Sequence, residues 1–353
     1  MTPSEHLGDD LIFLVSQPRS GSTLLQRMLA GHPRIETSPE PWLMLHLLYA
    51  NRSDGLAAEY DAGTAHLALK SFLASLPAKG DHFVHSIRLS AGNLYSQALK
   101  ESDGDIFLDK TPRYYHIVDE LREVFPRARM IFLFRNPVAV FSSILHTHGA
   151  GDWTNLRRMD RMHDLVTAPQ KMIRAIDRLG DWRTAVIRYE DLVDDPDGTL
   201  EALFGRLELD YVPNLKEYMA SEASLGDATA AQHRLPVTNY LDRWKRDLDT
   251  PAKRDVAASY LEELGPALIR GLGYDPDRLR SGLPRARPAS SRWEALTTRD
   301  DVLPWWHRVR LGLAHSTHQR GVARTILRLL FIAVRGHGRR SGDLRDHIET
   351  RPV

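Results

Sequence analysis

Short apolar runs alternate along the chain with longer segments whose apolar residues recur at helical spacing. Runs of a few mostly apolar residues predict buried strands, and they lie at 11–15, 105–109, 129–134 and 184–189. Between them, segments such as Leu24–Leu29 carry apolar residues three and four positions apart, which is typical of helices that bury one face. Strands separated by helices predict parallel βαβ units, so we expect an α/β fold with a central parallel sheet.

Other segments follow weaker patterns. Phe83–Ile87 contains aromatic and β-branched residues and predicts a short strand. Apolar spacing predicts further helices, at 43–49, 114–124, 200–207 and 252–272.

Small and polar residues join the first strand to the helix that follows it. Gln17–Gly21 is a tight turn in which Pro18 restricts the backbone, and Ser22 or Thr23 opens the helix. A helix N-terminus offers unpaired N–H groups and about half a positive charge, so the turn predicts an anion-binding loop. An ordinary strand–turn–helix connection is the alternative that the loop alone leaves open.

This loop differs from the Walker A pattern at two positions. Aligned on G-x-x-x-x-G-K-[ST], Ser16 stands in place of the first Gly and Ser22 in place of the Lys. A kinase needs that Lys on the terminal phosphates and a hydroxyl on Mg²⁺, whereas here the cation, Arg19, lies inside the turn. The loop therefore favours a phosphate ligand whose transferred group carries less charge and needs no metal, as a sulfuryl group does.

Charged and aromatic side chains lie where the predicted strands end. Arg19 follows the first strand, and Lys110, Arg135 and Tyr189 lie at the ends of the others. Ligands of parallel α/β sheets bind at the carboxyl ends of the strands, so we expect these side chains to share one site. Each of them, taken alone, is also typical of a solvated turn.

Composition narrows the classes of protein. The chain is 42% hydrophobic and 26% charged, as globular proteins are, and without cysteine it has no disulfides and no thiol catalysis. His146 and His148 are close in sequence, but no third ligand has the spacing of a metal site, so we expect no metal. The polar N-terminus differs from a signal peptide and no run reaches about 18 apolar residues, so we expect a cytoplasmic protein without a transmembrane segment.

Charge is distributed unevenly along the chain. From Arg285 onwards there are 14 arginines and 6 acidic residues, whereas the preceding residues carry 33 basic and 40 acidic ones. Pro and Ser make 282–291 a linker, which predicts domains at 1–281 and 282–353. Apolar faces after Trp305 are typical of a helix packed on the domain and also of a basic amphipathic helix on an anionic membrane surface. No recognised nucleic-acid-binding module surrounds them, so we expect no nucleic-acid partner.

Two segments together resemble the sulfotransferases that use 3′-phosphoadenylyl sulfate. Pro18–Leu24 resembles their 5′-phosphosulfate loop, and Arg135–Ser143 resembles their 3′-phosphate motif, an Arg followed eight residues later by a Ser. Both occur in order on predicted strand-to-helix turns. The resemblance covers roughly residues 10–280 and implies a P-loop NTPase-like three-layer sandwich with 3′-phosphoadenylyl sulfate as co-substrate.

The resemblance also implies which residues bind that donor. Tyr189 lies in a segment similar to the one near the adenine, while 235–244 and 272–276 are similar to the segment that closes over the nucleotide. Arg243 is the cation expected there, with a solvated surface Arg as the alternative. The full donor-binding set is Arg19, Ser20, Gly21, Ser22, Thr23, Arg135, Ser143, Tyr189 and Arg243.

Within this group the chain most resembles the tyrosylprotein and related carbohydrate sulfotransferases. Glu40 lies 21 residues after Arg19, where those enzymes keep a carboxylate general base, and Lys110 resembles their Lys that assists transfer. Arg19 and Lys110 would then bridge the sulfuryl group and the 5′-phosphate. Two prolines flank Glu40 and stiffen its backbone, although an exposed loop Glu is the alternative. Histidines are second candidates for the base: His32, His46, His116, His146 and His148.

Two positions depart from the tyrosylprotein enzymes. Thr147 stands in place of a second Arg, and Trp42 in place of an Arg after the base. Together with the lack of an anchor and of a cysteine pair, this favours a bacterial-style soluble enzyme. We expect transfer to a hydroxyl on a small molecule, a sugar or a carrier-bound group, and the oligomeric state stays open.

Two alternatives remain at this stage. A metal-dependent P-loop kinase would need an acidic Mg²⁺ ligand after a strand, and Asp109 is the obvious one. A non-catalytic nucleotide-binding protein on the same fold would have lost the base and the Lys, but Glu40 and Lys110 are both present.

Overall fold

The computed structural model describes residues 6–283, apart from 54, 56, 78–80, 101, 150, 159–160, 181, 214 and 216–240. The strands of this part are β1 (Leu11–Ser16), β2 (Ile35–Thr37), β3 (Ile106–Lys110), β4 (Arg129–Phe134) and β5 (Thr184–Arg188). Its α-helices are α1 (Ser22–Leu29), α2 (Leu43–Tyr49), α3 (Ala62–Ala74), α4 (His82–Leu99), α5 (Val118–Val124), α6 (Pro137–Gly149), α7 (Trp153–Arg158), α8 (Ala168–Leu179), α9 (Tyr189–Asp194), α10 (Pro196–Arg206), α11 (Arg243–Asp247), α12 (Pro251–Gly271) and α13 (Pro276–Gly282). A 3₁₀ helix covers Pro112–His116 and a π-helix covers His163–Thr167.

The described strands form one parallel sheet in the order β2-β3-β1-β4-β5. β1 is central, and its Phe13 lies opposite Asp109 of β3 and Met130 of β4. All residues of β1 and β4 are buried, which explains their continuous apolar runs. The predicted parallel sheet is confirmed, and β1, β3, β4 and β5 lie within a residue of their predicted positions.

Helices cover both faces of this sheet. Leu11, Phe13 and Val15 of β1 pack in one core with α4, α5 and α8, whereas Ile12 and Leu14 pack in a second core with α1, α9 and α10. Alternate residues of a strand face opposite sides of a sheet, so β1 supplies apolar side chains to both cores. The three-layer α/β sandwich with a central parallel sheet that the resemblance implied is confirmed.

The prediction of a strand at residues 83–87 is wrong, because these residues lie at the beginning of helix α4. Asp81 caps this helix: its side chain accepts a hydrogen bond from the backbone N–H of Val84. The buried residues Val84, Ile87, Ala91 and Tyr95 follow helical spacing and pack into the core on the sheet. The aromatic and β-branched residues at 83–87 favour a strand locally, but the burial of one face along the whole segment stabilises a helix instead.

The described residues belong to two compact units. One comprises residues 6–50 and 75–283 and contains the sheet, and the other is represented by residues 51–74, which include α3. The predicted boundary at 281/282 stays a prediction, since 284–353, with the Arg-rich segment, lie outside the described residues. Each helix in the described ranges is too short or too polar to cross a membrane.

Candidate active site

Two residues with positive φ shape the loop between β1 and α1. Arg19 has a φ of 70° and Gly21 a φ of 93°. A Cβ added at Gly21 would lie 2.4 Å from Cδ2 of Tyr189, so the aromatic ring and the backbone both require glycine. α1 begins at Ser22, directly after this turn, so the loop lies at the positive end of the helix dipole.

The hydroxyl groups of the loop differ in their surroundings. Ser20 is fully buried, and within the described residues its Oγ has no hydrogen-bond partner. A buried hydroxyl that lacks a partner is destabilising, which makes this oxygen suited to bind a ligand atom. Ser22 is also buried, whereas Thr23 is half-buried and its Oγ1 lies 3.5 Å from Nζ of Lys110.

Arg135 follows β4 directly and contacts two other predicted site residues. Its Nη1 donates a hydrogen bond of 3.1 Å to the carbonyl oxygen of Arg19. Its guanidinium carbon lies 4.3 Å from the centroid of the Tyr189 ring, a cation–π contact. Burial lowers the pKa of Arg135, against the opposing effect of Tyr189 and Glu190. The ends of β1, β4 and β5 therefore meet, as the sequence predicted.

The segment that resembles a 3′-phosphate motif, Arg135–Ser143, spans the turn into α6 and the first part of this helix. Asn136 caps this helix, because its Oδ1 accepts a hydrogen bond of 2.9 Å from the N–H of Val138, and Pro137 is the first helical residue. The helix places Ser143 beside the loop, where Nε of Arg19 donates a hydrogen bond of 3.3 Å to its Oγ.

Lys110 and Glu40 form an ion pair next to the loop. Nζ of Lys110 lies 2.7 Å from Oε1 of Glu40. The Lys110 side chain is 1% exposed and that of Glu40 is 31% exposed, so the ammonium is buried while the carboxylate stays accessible. Since Lys110 also approaches Thr23, one cation links the carboxylate to the loop.

Glu190 ties α9 to the 3′-phosphate motif. Its Oε1 accepts a hydrogen bond of 3.0 Å from the backbone N–H of Asn136, and its Oε2 accepts one of 2.5 Å from the hydroxyl of Tyr274. Burial, followed by the charge of Glu190, raises the pKa of Tyr274, so this hydroxyl remains a donor. Tyr274 belongs to 272–276, one of the segments that the resemblance places over the nucleotide.

Arg243 forms an ion pair within its own helix. It begins α11, and its Nε lies 3.3 Å from Oδ2 of Asp247 on the same helix. Residues 216–240, which include most of the predicted closing segment, lie outside the described residues. A role for Arg243 in nucleotide binding stays a prediction.

A family model matches the part of the chain that carries these contacts. The model of the sulfotransferase family matches residues 10–213, more than half of the chain. The chain belongs to the sulfotransferase family. The family named from the loop and the 3′-phosphate motif is thereby confirmed.

Curated proteins similar to this sulfotransferase come from bacteria and an animal. Nodulation protein NoeE of Sinorhizobium fredii is 29% identical over 329 residues, which are 86% of this chain and 74% of NoeE. Omega-hydroxy-beta-dihydromenaquinone-9 sulfotransferase Stf3 of Mycobacterium tuberculosis is 31% identical over 131 residues, 32% of each chain. Protein-tyrosine sulfotransferase A of Caenorhabditis elegans is 24% identical over 278 residues, 75% of this chain and 67% of that protein.

The kinase alternative requires Asp109 of this sulfotransferase to bind Mg²⁺, and the surroundings of its side chain do not suit that role. It is fully buried, and its two carboxylate oxygens accept hydrogen bonds from the hydroxyls of Tyr95, Tyr114 and Thr111 at 2.7–3.0 Å. Burial raises the pKa of Asp109 to about 6, with those hydrogen bonds and Lys110 opposing the rise. The carboxylate is thus a packed structural group, and the kinase alternative is not favoured.

The histidines proposed as second bases occupy different environments. His32 is buried, stacks on Phe204 and lies 3.1 Å from the carbonyl oxygen of Asp210, which gives it a structural role. His148 is half-buried on α6, and burial together with the charges of Arg161, Arg19 and Arg113 lowers its pKa. No three His, Asp or Glu side chains of the described residues are grouped to hold a metal ion.

Sequence analysis missed a group of residues on the Glu40 side of the site. Nε1 of Trp42 donates a hydrogen bond of 3.1 Å to Oε2 of Glu40, and the Arg113 guanidinium lies 5.7 Å from the Trp42 ring centroid. Arg113 in turn is paired with Asp164, which is buried. In the sequence Trp42 is only a departure from the family pattern, and no local signal marks Asp164, because Arg113 and Tyr115, which bind it, are 51 and 49 positions away.

Proposed function

We propose that this sulfotransferase moves the sulfuryl group of 3′-phosphoadenylyl sulfate to an acceptor hydroxyl, with Glu40 as the general base. The observation that carries the proposal is the ion pair of 2.7 Å between Lys110 and Glu40 beside the anion loop. A carboxylate, a buried ammonium and a helix N-terminus meet there, which are the groups that sulfuryl transfer requires.

The charges of the site fit a donor with phosphates at both ends. Arg19, Lys110 and Arg135 supply three cations, against the carboxylates of Glu40, which pairs with Lys110, and of Glu190, whose charge acts on Arg135. The Arg135 and Ser143 pair suits a terminal 3′-phosphate, because guanidinium presents a fork of N–H donors. Ser20, whose buried Oγ has no hydrogen-bond partner in the part of the chain that the structure describes, suits the 5′-phosphosulfate.

The remaining donor-binding residues follow from their positions. Gly21, Ser22 and Thr23 present backbone N–H groups at the start of α1. Tyr189 lies under Arg135 and would contact the adenosine side of the donor.

The transfer step uses Glu40 to accept a proton. As the acceptor hydroxyl loses its proton to Glu40, its oxygen forms a bond to sulfur, and the bond from sulfur to the 5′-phosphate oxygen breaks. The electron pair of the broken bond stays on adenosine 3′,5′-bisphosphate. Lys110 and Arg19 stabilise the charge that develops on that oxygen, which is the role expected of preorganised cations.

The acceptor is a hydroxyl compound. Two relatives support this class by name, a hydroxy-menaquinone sulfotransferase and a protein-tyrosine sulfotransferase. The accessible carboxylate of Glu40 supports it as well, because a hydroxyl needs a base before it can attack. We place the enzyme in the cytoplasm, as the sequence predicted.

Donor binding is tested with adenosine 3′,5′-bisphosphate in a thermal-shift titration of the full chain. At a concentration 100 times the dissociation constant, the nucleotide is expected to stabilise the fold by about 2.7 kcal/mol. Arg135→Ala is expected to abolish the shift. Arg178→Ala, which removes an exposed partner of Asp119, is the matched control and should keep it. A wild-type chain that responds to ATP with Mg²⁺ and ignores this nucleotide would refute the proposal.

The base is tested by Glu40→Gln in a transfer assay with sulfate-labelled donor and a panel of hydroxylated acceptors, read by mass spectrometry. The variant keeps the size and the hydrogen-bonding oxygen but accepts no proton, so kcat is expected to fall by about 100-fold or more. Unchanged affinity for adenosine 3′,5′-bisphosphate would show that the donor site is intact. Full activity in this variant would exclude Glu40 as the base.

A further inference from the structure

Asp164 lies at the centre of a buried ionic cluster beside the site. Its carboxylate accepts two hydrogen bonds from Arg113, at 2.6 and 3.0 Å, and one each from Arg161 and Tyr115. Burial alone would raise the pKa of Asp164, but Arg113, Tyr115 and Arg161 together hold it below its ordinary value. Asp164 therefore stays ionised and holds the guanidinium of Arg113 in a fixed plane.

The backbone of Asp164 is attached to the anion loop. Gln17, the loop residue directly after β1, donates a hydrogen bond of 3.0 Å from Nε2 to the carbonyl oxygen of Asp164. Asp164 lies in the π-helix His163–Thr167, an uncommon conformation that is frequent at functional sites. The carbonyl of Leu165 is used similarly, by the hydroxyl of Tyr260 at 3.0 Å.

Arg113 connects this cluster to Trp42. The guanidinium carbon of Arg113 lies 5.7 Å from the centroid of the Trp42 ring, while its nitrogens bind Asp164. Trp42 then donates from Nε1 to Oε2 of Glu40, whose other oxygen binds Lys110. Both oxygens of the proposed base are thus held, one by an indole and one by an ammonium.

Trp42 keeps this position at an energetic cost. Its φ of 54° lies in the left-handed region, which is unusual for a residue with a bulky side chain and strains the backbone. Its backbone N–H is bound by Oγ1 of Thr111 at 3.4 Å, and its ring lies against Arg113. Strain that several contacts maintain is typical of functional sites.

We infer that Trp42 is a positioning residue for Glu40, held in place by Arg113 and Asp164. The inference rests on the proposed function, in which Glu40 is the base. Through Gln17 the same cluster ties the carboxylate side of the site to the donor loop, so the base and the donor keep a constant separation.

Trp42→Phe is the central experiment, because it removes the indole N–H and keeps an aromatic ring for Arg113. We expect kcat to fall about tenfold, as for loss of a hydrogen bond to a charged group. The affinity for adenosine 3′,5′-bisphosphate should be unchanged. The KM for the sulfuryl donor should be unchanged as well, because the lost hydrogen bond is made to Glu40 and not to the donor. Trp182→Phe, at an exposed tryptophan that also contacts two arginines, is the matched control and should match the wild type.

Arg113 tests whether the residues act as one unit. Arg113→Gln should lower kcat to a similar degree, and Arg113→Lys should restore only part of it, since Lys keeps the charge without the planar fork. The kcat of the double variant, Trp42→Phe with Arg113→Gln, should be no lower than that of the less active single variant, because the effects of coupled residues are not additive.

The outcomes separate the inference from the proposed function. If Glu40→Gln is inactive while Trp42→Phe equals the wild type, the positioning role is wrong and the proposed base stands. If Trp42→Phe lowers thermal stability, nucleotide affinity and kcat together, the residue is merely structural and the inference is also wrong. If Glu40→Gln keeps full activity, the base assignment fails first, and the inference fails with it.

Discussion

Gly21 is the residue on which the shape of the loop between β1 and α1 depends. Its φ of 93° favours glycine, and the ring of Tyr189 occupies the space of any side chain there. The Tyr189 ring in turn makes a cation–π contact with the guanidinium of Arg135. A side chain at Gly21 would therefore displace the Tyr189 ring and, through it, Arg135, the residue predicted to bind the 3′-phosphate.

Gly21→Ala is expected to lower the free energy of unfolding by about 1–2 kcal/mol or more, from the unfavourable φ and the displaced ring. Nucleotide binding should weaken in the same variant, measured by titration calorimetry. Gly205→Ala is the matched control, because a Cβ at this helical position meets no atom within 4 Å and should leave stability unchanged or slightly higher. Equal stability of the Gly21 and Gly205 variants would contradict the prediction.

Asp109 gives the fold a pH dependence of known sign. Its pKa is about 6 in the folded protein against an ordinary value of 3.8, so the folded state binds more protons between these two values. The unfolding free energy contributed by this group is therefore highest below pH 4 and declines as the pH rises through 6. The full change is about 3 kcal/mol.

Asp109→Asn removes this titration. We expect the stability of the variant relative to the wild type to rise by about 3 kcal/mol between pH 4 and pH 7, measured by denaturant unfolding at several pH values. Subtracting the two curves removes the contribution of other groups. A difference that stays constant with pH would show that Asp109 titrates near its ordinary value.

At the scale of elements, strand ends were easier to predict than helix starts. β1, β3 and β4 are buried on both faces, so their apolar runs are visible in any window of the sequence. β5 is an edge strand with Val186 exposed, but its β-branched residues still predict a strand. α4 was mistaken for a strand at its beginning, because its local composition favours a strand while Asp81 and the core favour a helix. β2 is a short edge strand of three residues, too brief to show a period.

Asp81→Ala tests the cap that starts α4. The variant loses the hydrogen bond of 2.9 Å from the N–H of Val84 and is expected to unfold with about 1 kcal/mol less free energy. Asp103→Ala, at an exposed carboxylate in the loop after the same helix, is the control and should stay within about 0.5 kcal/mol of the wild type. Equal values for both variants in urea unfolding would argue against the cap.

At the scale of the whole molecule, the carboxyl ends of the strands bring together residues from distant segments. Lys110 and Glu40 are 70 positions apart, and Arg19 and Ser143 are 124 apart. The parallel order β2-β3-β1-β4-β5 brings their strands side by side. In such sheets the carboxyl ends of neighbouring strands form the binding crevice.

The predicted domain boundary leads to a test on the whole chain. Leu283 packs with a core cluster that includes α6 and α12, so a chain ending after Leu283 keeps the described core. We expect this shorter chain to unfold cooperatively and to be stabilised by adenosine 3′,5′-bisphosphate as the full chain is. Loss of either property in thermal unfolding would place part of the nucleotide-binding domain within 284–353.

The sequence by itself determined the strand–loop–helix units, the cations at the strand ends and the family. Each of these depends on residues that are close together in the sequence, so the apolar periods of strands and helices and the spacing of the motifs indicate them directly. Only the tertiary structure decided that Trp42 binds Glu40, that Arg113 and Asp164 hold Trp42, and that Asp109 is buried. Such contacts depend on how crossover helices align separate strands, and no local spacing records that alignment.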